Sequence, residues 1–346
     1  MTPTQQPTRR FGFKRWIVIA LIILGGYLAF GAGGIFKPTS PAVKLPGEPI
    51  WPGSPITNTL LATLIADVLL LVAGFIVFRF TRSGQLVPRG FYHFMELIIE
   101  FLWNSTEAAA GKWARRMFPF VATIFLLVLT ANLIKLVPGF ESIGYLEQAH
   151  GTIKGYAPVA LFGSVYALDG SHPVDNAEAE GEAAGEGEHG LCTACEVVPF
   201  LRGSATDLNF TMSLAVITMV MVQVFGFWAL GLGYLTKFIN TGGMIKRPVF
   251  GVIDFGVGLL ELVSEFAKVI SFTFRLFGNI FAGALLLSIL GALTAVIIPS
   301  FLYTLELFVG LIQAYVFSLL ALVFMSQATI GHGHAEEHHA EAAHAA

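Results

Sequence analysis

Arg275 stands in the middle of the apolar run FGVIDFGVGLLELVSEFAKVISFTFRLFGNIFAG (250–283), flanked by Phe274 and Leu276. Inside a bilayer a charge at that depth costs at least ~2.5–3.5 kcal/mol, so something must hold it. A guanidinium does not release its proton in proteins; it can attract, repel or block, but it cannot relay protons. Carboxylates can. At 100° per residue, Glu261, Ser264, Lys268, Ser271 and Asn279 fall within about 40° of Arg275 around a helix, forming one polar stripe. Glu265 lies roughly 80° off that stripe. On the next apolar run Glu306 and Gln313 are seven residues apart and share a face. Two carboxylates reached from opposite sides, with a fixed cation between them in depth, suit the passage of ions along two offset aqueous half-paths. The competing reading is a buried ion-pair network that only fixes helix packing. No histidine falls in an expected span: the nine are His93, His150, His172, His189 and five in the tail. A proton path here would rest on carboxylates and water.

The elements that must carry these residues are membrane helices. The chain of 346 residues is 55% hydrophobic and only 12% charged, with 31 phenylalanines and several apolar runs of span length, which excludes an ordinary soluble domain. The run between Pro248 and Pro299 would make a helix of roughly 70 Å, against a hydrocarbon core of ~30 Å. It must tilt steeply, break or run partly along the membrane. The expected fold is an all-α polytopic membrane protein of about six membrane helices, the last two a long, strongly tilted hairpin, plus one interfacial amphipathic helix.

Taken in order, residues 1–55 hold a basic start, an apolar stretch over 16–36 and a proline-rich, extended linker. The stretch reads as a retained first span or as a cleaved signal; its length favours the span. Residues 56–138 hold a second span (56–80) with Asp67 at its middle, the interfacial helix and a third span (117–137). Asp67 either lines a water path or makes a polar contact between helices. In the interfacial helix Phe91, Phe94, Leu97, Ile98, Phe101 and Leu102 recur opposite His93, Glu96, Glu100 and Asn104. Residues 139–208 read as an acidic, flexible insert carrying Cys192 and Cys195. Residues 209–328 hold a fourth span (209–235) and the fifth and sixth helices, and 329–346 form a His-rich tail.

Lysines and arginines distribute unevenly over the loops of this six-span arrangement. Thirteen (Arg9, Arg10, Lys14, Arg15, Arg79, Arg82, Arg89, Lys112, Arg115, Arg116, Lys237, Lys246, Arg247) fall on the side of the N-terminus, against Lys37, Lys44, Lys154 and Arg202 on the other. The positive-inside rule then puts both termini in the cytoplasm and the acidic insert outside. There a short-loop disulfide between Cys192 and Cys195 is one reading, a metal clip a weaker one, and two unremarkable cysteines a third. No Walker loop, nucleophile triad or dinucleotide fingerprint occurs, so neither soluble catalysis nor a cofactor is expected. The basic residues sit in small juxtamembrane groups, without the basic domain that nucleic-acid binding needs.

ISFTFRLFGNIFAG resembles the signature around the essential arginine of F-type ATP synthase subunit a, the stator part of the proton channel. PFVATIFLLVLTANLIKLVPGF, DLNFTMSLAVITMVMVQVFG and LELFVGLIQAYVFSLLALVF are similar to three further helices of that family, so the resemblance spans about 56–328 without the insert. It implies that Arg275 faces the carboxylate of the rotor c-ring and separates the two half-channels. It implies that Asn279 and Gln313 are its polar companions, that Glu306 belongs to the entry path, and that Glu261 and Lys268 lie towards the inner one. Ser264 and Glu265 accompany these on the same helix. The family often has a glutamate or histidine nine residues after the arginine, where this chain has Ala284. The resemblance further implies a non-catalytic subunit that translocates protons (sodium being the alternative ion) in a bacterial plasma membrane. Its implied partners are the c-ring, peripheral-stalk subunit b and the rest of the synthase. From other classes, a secondary ion-coupled transporter would show an internal repeat, which is not seen, and a structural anchor would tolerate loss of Arg275.

Overall fold

A computed structural model gives the fold. It describes residues 44–82, 90–149, 154–174, 192–238, 248–293 and 297–330, apart from positions 45, 52 and 138, together with four positions between 16 and 23. The expected first span, the acidic centre of the insert and the His-rich tail lie outside the described residues. The chain divides into two compact units.

The larger unit comprises residues 44–144, 199–284 and 306–346. Its first helix, α1 (Asn58–Arg82), is apolar on nearly every side and buries only Asn58, Thr59, Ala62 and Ala66. A helix this greasy with so little protein contact is one whose solvent is lipid. Helix α2 (Phe91–Ala110) follows. It turns through Gly111–Trp113 into α3 (Ala114–Ile134), with Gly111 at φ 49°, a left-handed backbone that glycine adopts without cost. α2 packs on α3 through Leu102, Thr106 and Ala110, while Phe91, Phe94, Leu97 and Phe101 face outwards. Helix α4 (Leu208–Leu230) starts at Asp207, whose side chain accepts the Asn209 N–H as an N-cap. Then come α5 (Pro248–Leu293) and α6 (Ile297–Ala328). Among the described residues, five stretches are long and apolar enough to cross a membrane: Asn58–Arg82, Phe91–Ile134, Leu208–Leu235, Phe255–Gly291 and Pro299–Ala328. The protein is a mostly helical, multi-pass membrane protein.

Within this unit α5 and α6 run antiparallel. Asn279 bonds Gln313, the Phe272 ring meets Phe317 edge-on at 4.9 Å, and Lys268 Nζ sits 5.2 Å from the Phe324 ring centroid. Met117, Val121, Ile124 and Val128 of α3, Ala215, Val222 and Phe225 of α4, and Ala314, Phe317 and Ala321 of α6 share one core.

Two expectations change. The proline-rich segment before α1 is no simple extended linker. Residues 46–57 fold back on themselves: Ile50 and Asn58 donate backbone bonds to Ile56 and Glu48, Pro49 bridges Thr57, and Ile50 is buried. The flanks of the insert are also not flexible. In the smaller unit, which includes residues 145–198 and 285–305, they form a four-stranded sheet of order β1-β4-β2-β3. Its strands are β1 (Gly144–Gln148), β2 (Gly155–Phe162), β3 (Val165–Val174) and β4 (Cys195–Pro199). β2 and β3 pair antiparallel around Gly163-Ser164, with Gly163 at φ 57°, the glycine-first pattern of a tight hairpin turn. Gly155 lets β4 approach closely, since a Cβ there would lie 2.4 Å from that of Ala194. Cys192 and Cys195 form a disulfide at the start of β4. The signal for this hairpin is two short apolar runs on either side of a Gly-Ser pair, GYAPVALF-GS-VYAL, beside a strongly acidic stretch.

Buried Asp207 also accepts the Thr59 hydroxyl at 2.7 Å, and Gly47 leaves room for both groups. Asp207→Ala removes the cap and that bond together. It is expected to destabilise the protein by about 1–2 kcal/mol, more than Thr59→Val does, as read from thermal melting of the purified complex in detergent.

Candidate functional site

Polar side chains on α3, α4, α5 and α6 gather at two levels along α5. At the first, Glu265 is buried although the stripe containing Arg275 leaves it to one side. That offset is the reason: it turns Glu265 towards α4, inside the bundle, while the Arg275 face looks out. Lys268 Nζ lies 2.9 Å from Glu265 Oε1, and Gln223 of α4 donates through Nε2 to Oε2 at 3.2 Å. The Tyr234 hydroxyl donates to Gln223 Oε1 at 2.8 Å, completing a chain of four side chains. Tyr234 is 1% exposed, and its ring fits only because residue 226 is glycine: a Cβ there would sit 2.5 Å from the ring. Glu261 and Ser264, about one turn before Glu265 and Lys268, are half-buried.

At the second level, Lys135 at the C-terminal end of α3 forms an ion pair with Glu306 of α6, both side chains at least nine-tenths buried. Two glycines shape the pair. A Cβ at Gly203 would lie 3.1 Å from the Lys135 Cδ, and one at Gly283 of α5 would lie 3.4 Å from Glu306 Oε1. One turn further along α6, the carbonyl of Gly310 accepts from Asn132 Nδ2 at 3.2 Å. Next comes Gln313, whose Oε1 accepts from Asn279 Nδ2 of α5 at 3.0 Å. Asn132 Oδ1 and Gln313 Nε2 are buried and have no hydrogen-bond partner among the described residues.

Arg275 lies between the two levels. It is exposed, and among the described residues it makes no ion pair or hydrogen bond. Seven residues separate it from Lys268 and eight from Gly283, about 10–12 Å of helix either way. The two polar faces of α5 and α6 meet at Asn279 and Gln313, whereas Glu306 turns to α3 instead of to the α5 stripe. Asp67 of α1 is half-buried and joins neither level through a hydrogen bond. Lys135, Asn132, Gln223 and Tyr234 were not singled out from sequence. The available signal was a cation in NLIKLV and an amide in VMVQVFG, each inside an apolar run and each needing a partner there.

An arginine with no partner among the described residues, set along a long membrane helix between two buried carboxylates, is an uncommon arrangement. The family described as ATP synthase A chain matches residues 60–326. The chain belongs to that family, the a subunits of F-type ATP synthases. It is 27% identical over 279 residues to ATP synthase subunit a of Moorella thermoacetica, covering 80% of this chain and 93% of that protein. The counterpart in Mycobacterium tuberculosis is 28% identical over 295 residues, covering 84% of this chain and 92% of its own. That of Campylobacter jejuni is 28% identical over 263 residues, covering 75% and 86%. As a member of the family the chain is a proton-translocating subunit of the synthase's membrane sector.

The Tyr234–Gln223–Glu265–Lys268 chain tests whether the first level is built as a unit. Tyr234→Phe leaves the Gln223 oxygen without its donor and is expected to cost about 1–2 kcal/mol. Gly226→Val drives the ring from its place and is expected to cost more, about 1–3 kcal/mol or above. Melting midpoints of the two purified variants in detergent check the order.

Proposed function

We propose that this subunit provides two offset half-paths for protons to and from the carboxylates of a c-ring, with Arg275 as the separator between them. The observation that carries the reading is Arg275 itself: exposed, without a partner among the described residues, and set along α5 between two carboxylates that each have a cation. A guanidinium on the surface of a membrane helix needs a partner there, and none of the described residues supplies an anion. An ionised carboxylate at mid-membrane is its natural counterpart, and the two pair through charge-assisted hydrogen bonds.

A proton enters from the outer side past Glu306 and neutralises a ring carboxylate. Once neutral, the carboxyl crosses the lipid-facing part of the circuit cheaply, where the ionised form would be held back by several kcal/mol. After nearly a full turn it reaches the inner half-path, where Glu261, Ser264, Glu265 and Lys268 line the approach, and loses the proton to the cytoplasm. Arg275 pairs with the ionised carboxylate in transit and repels protons, so no direct leak joins the half-paths. Asn279 and Gln313 hold the surfaces of α5 and α6 together beside it. The ring's own carboxylate site selects proton or sodium. The uneven loop charges and the Cys192–Cys195 disulfide support an outer insert, both termini in the cytoplasm and a bacterial plasma membrane. A peripheral-stalk subunit b holds the subunit against the rotor's torque.

Arg275→Ala in the assembled synthase, reconstituted into liposomes, is the test. ATP-driven proton pumping is expected to fall by roughly a hundredfold, the factor that ~2.5–3.5 kcal/mol represents. Passive leak under an imposed potential should rise, with the ring and head still co-purifying. Unchanged pumping would return this stretch to a packing role.

A further inference from the structure

Among the described residues, Lys135 is the one buried cation that has no task in the scheme above. It lies at the end of α3, a helix whose other contribution besides Asn132 is apolar packing, and its only charged partner among the described residues is Glu306. The surroundings are fitted to that contact. Gly203 makes room for the lysine stem and Gly283 for the carboxylate. The nearby Glu141 is engaged elsewhere, accepting the Gly203 N–H at 2.9 Å, and Arg202 donates to the carbonyls of Lys44 and Pro46. α5 brings Gly283 and Ala284 to this level and no titratable group. Among the described residues the ammonium therefore has a single anion to serve.

We propose that Lys135 is a positioning residue of the entry half-path: its ammonium holds the buried Glu306 carboxylate in one place, beside the line that leads towards Gln313. This rests on the half-path reading of Glu306. Out of water, that carboxylate depends on a charged partner to return to one position after each proton has passed. With Lys135 beside it, a proton from the outer side binds a Glu306 oxygen and breaks the ion pair. When the proton leaves towards the ring the carboxylate is restored and the pair re-forms, with no net change in either residue. Asn132 Oδ1 and Gln313 Nε2, an unspent acceptor and donor one and two turns further along the same line, provide the next polar contacts.

The test uses the complete synthase in liposomes and reads proton conductance of the membrane sector together with ATP-driven pumping. Lys135→Met keeps the apolar stem and removes the charge; Lys135→Arg keeps the charge. Lys135→Met is expected to lower conductance at least about tenfold, and Lys135→Arg to stay within about threefold of the parent. A packing role predicts the reverse order, because arginine crowds Gly203 and methionine does not. Lys135→Met combined with Glu306→Gln is expected to conduct no worse than the poorer single variant. Parent-like conductance in Lys135→Met, or losses that multiply in the double variant, would overturn the proposal. If a single variant fails to assemble, recovery of assembly in the double variant supports the pair, and continued failure counts against it. Arg275→Ala, measured alongside, separates the two readings. If it abolishes pumping while Lys135→Met pumps normally, only the role of Lys135 falls; if both pump normally, the channel reading falls with it.

Discussion

Taking an ammonium or a carboxylate out of water alone costs several kcal/mol even after a protein relaxes around it, and taking the two out together in contact costs far less. The interior of this bundle follows that constraint. Lys135 and Glu306 are dry and joined across two helices 171 positions apart in the chain. Lys268 and Glu265 are joined within one helix, the lysine side chain keeping 24% of its exposure and a phenylalanine face beneath it. The first pair could not lose one member without leaving an uncompensated charge, a change worth about 3–5 kcal/mol. The second is better solvated, and its loss should be felt less. Arg275, on the exposed face of α5, is a cation with no anion among the described residues, while both internal carboxylates have a cation of their own.

Small residues make these pairings sterically feasible. Gly226 admits the Tyr234 ring, Gly283 admits the Glu306 carboxylate, and Gly310 brings its carbonyl to Asn132, whose Cβ would otherwise lie 3.1 Å from a new side chain. Close helix approach through glycine is how membrane bundles gain contact when apolar surface alone gives no net drive for association. In this protein the same glycines also decide which polar groups meet.

Much of this was legible in the chain itself. Span lengths and apolar composition located five helical stretches, and the steric period of the helix put Arg275, Asn279 and Lys268 on one stripe with Gln313 opposite. Angular bookkeeping on a single helix could not tell which face would be inside. Glu265 looked peripheral on that count, yet it is the buried member of the first pair, because α4 packs on the side where it points. Lys135 was visible as a cation within a span, but its partner lies on another helix, and distance along the chain conceals such pairs. The sheet is hidden for a different reason: an apolar run of eight residues fits strand or helix alike and is a weak signal beside a strongly acidic neighbouring stretch.

The strand order of that sheet carries a consequence for how the polypeptide is made. β1 and β2 follow each other in the chain but are not neighbours; β4, the last to be synthesised, lies between them. Until the ribosome has delivered residues 195–199, both β1 and the β2–β3 hairpin carry a bare edge of backbone donors and acceptors, the kind of surface on which nascent copies stick to one another. The stretch DNAEAEGEAAGEGEHG is synthesised just before β4. Its repeated carboxylates would keep neighbouring nascent copies apart during that interval, in the manner of the gatekeeper charges that flank aggregation-prone strands elsewhere.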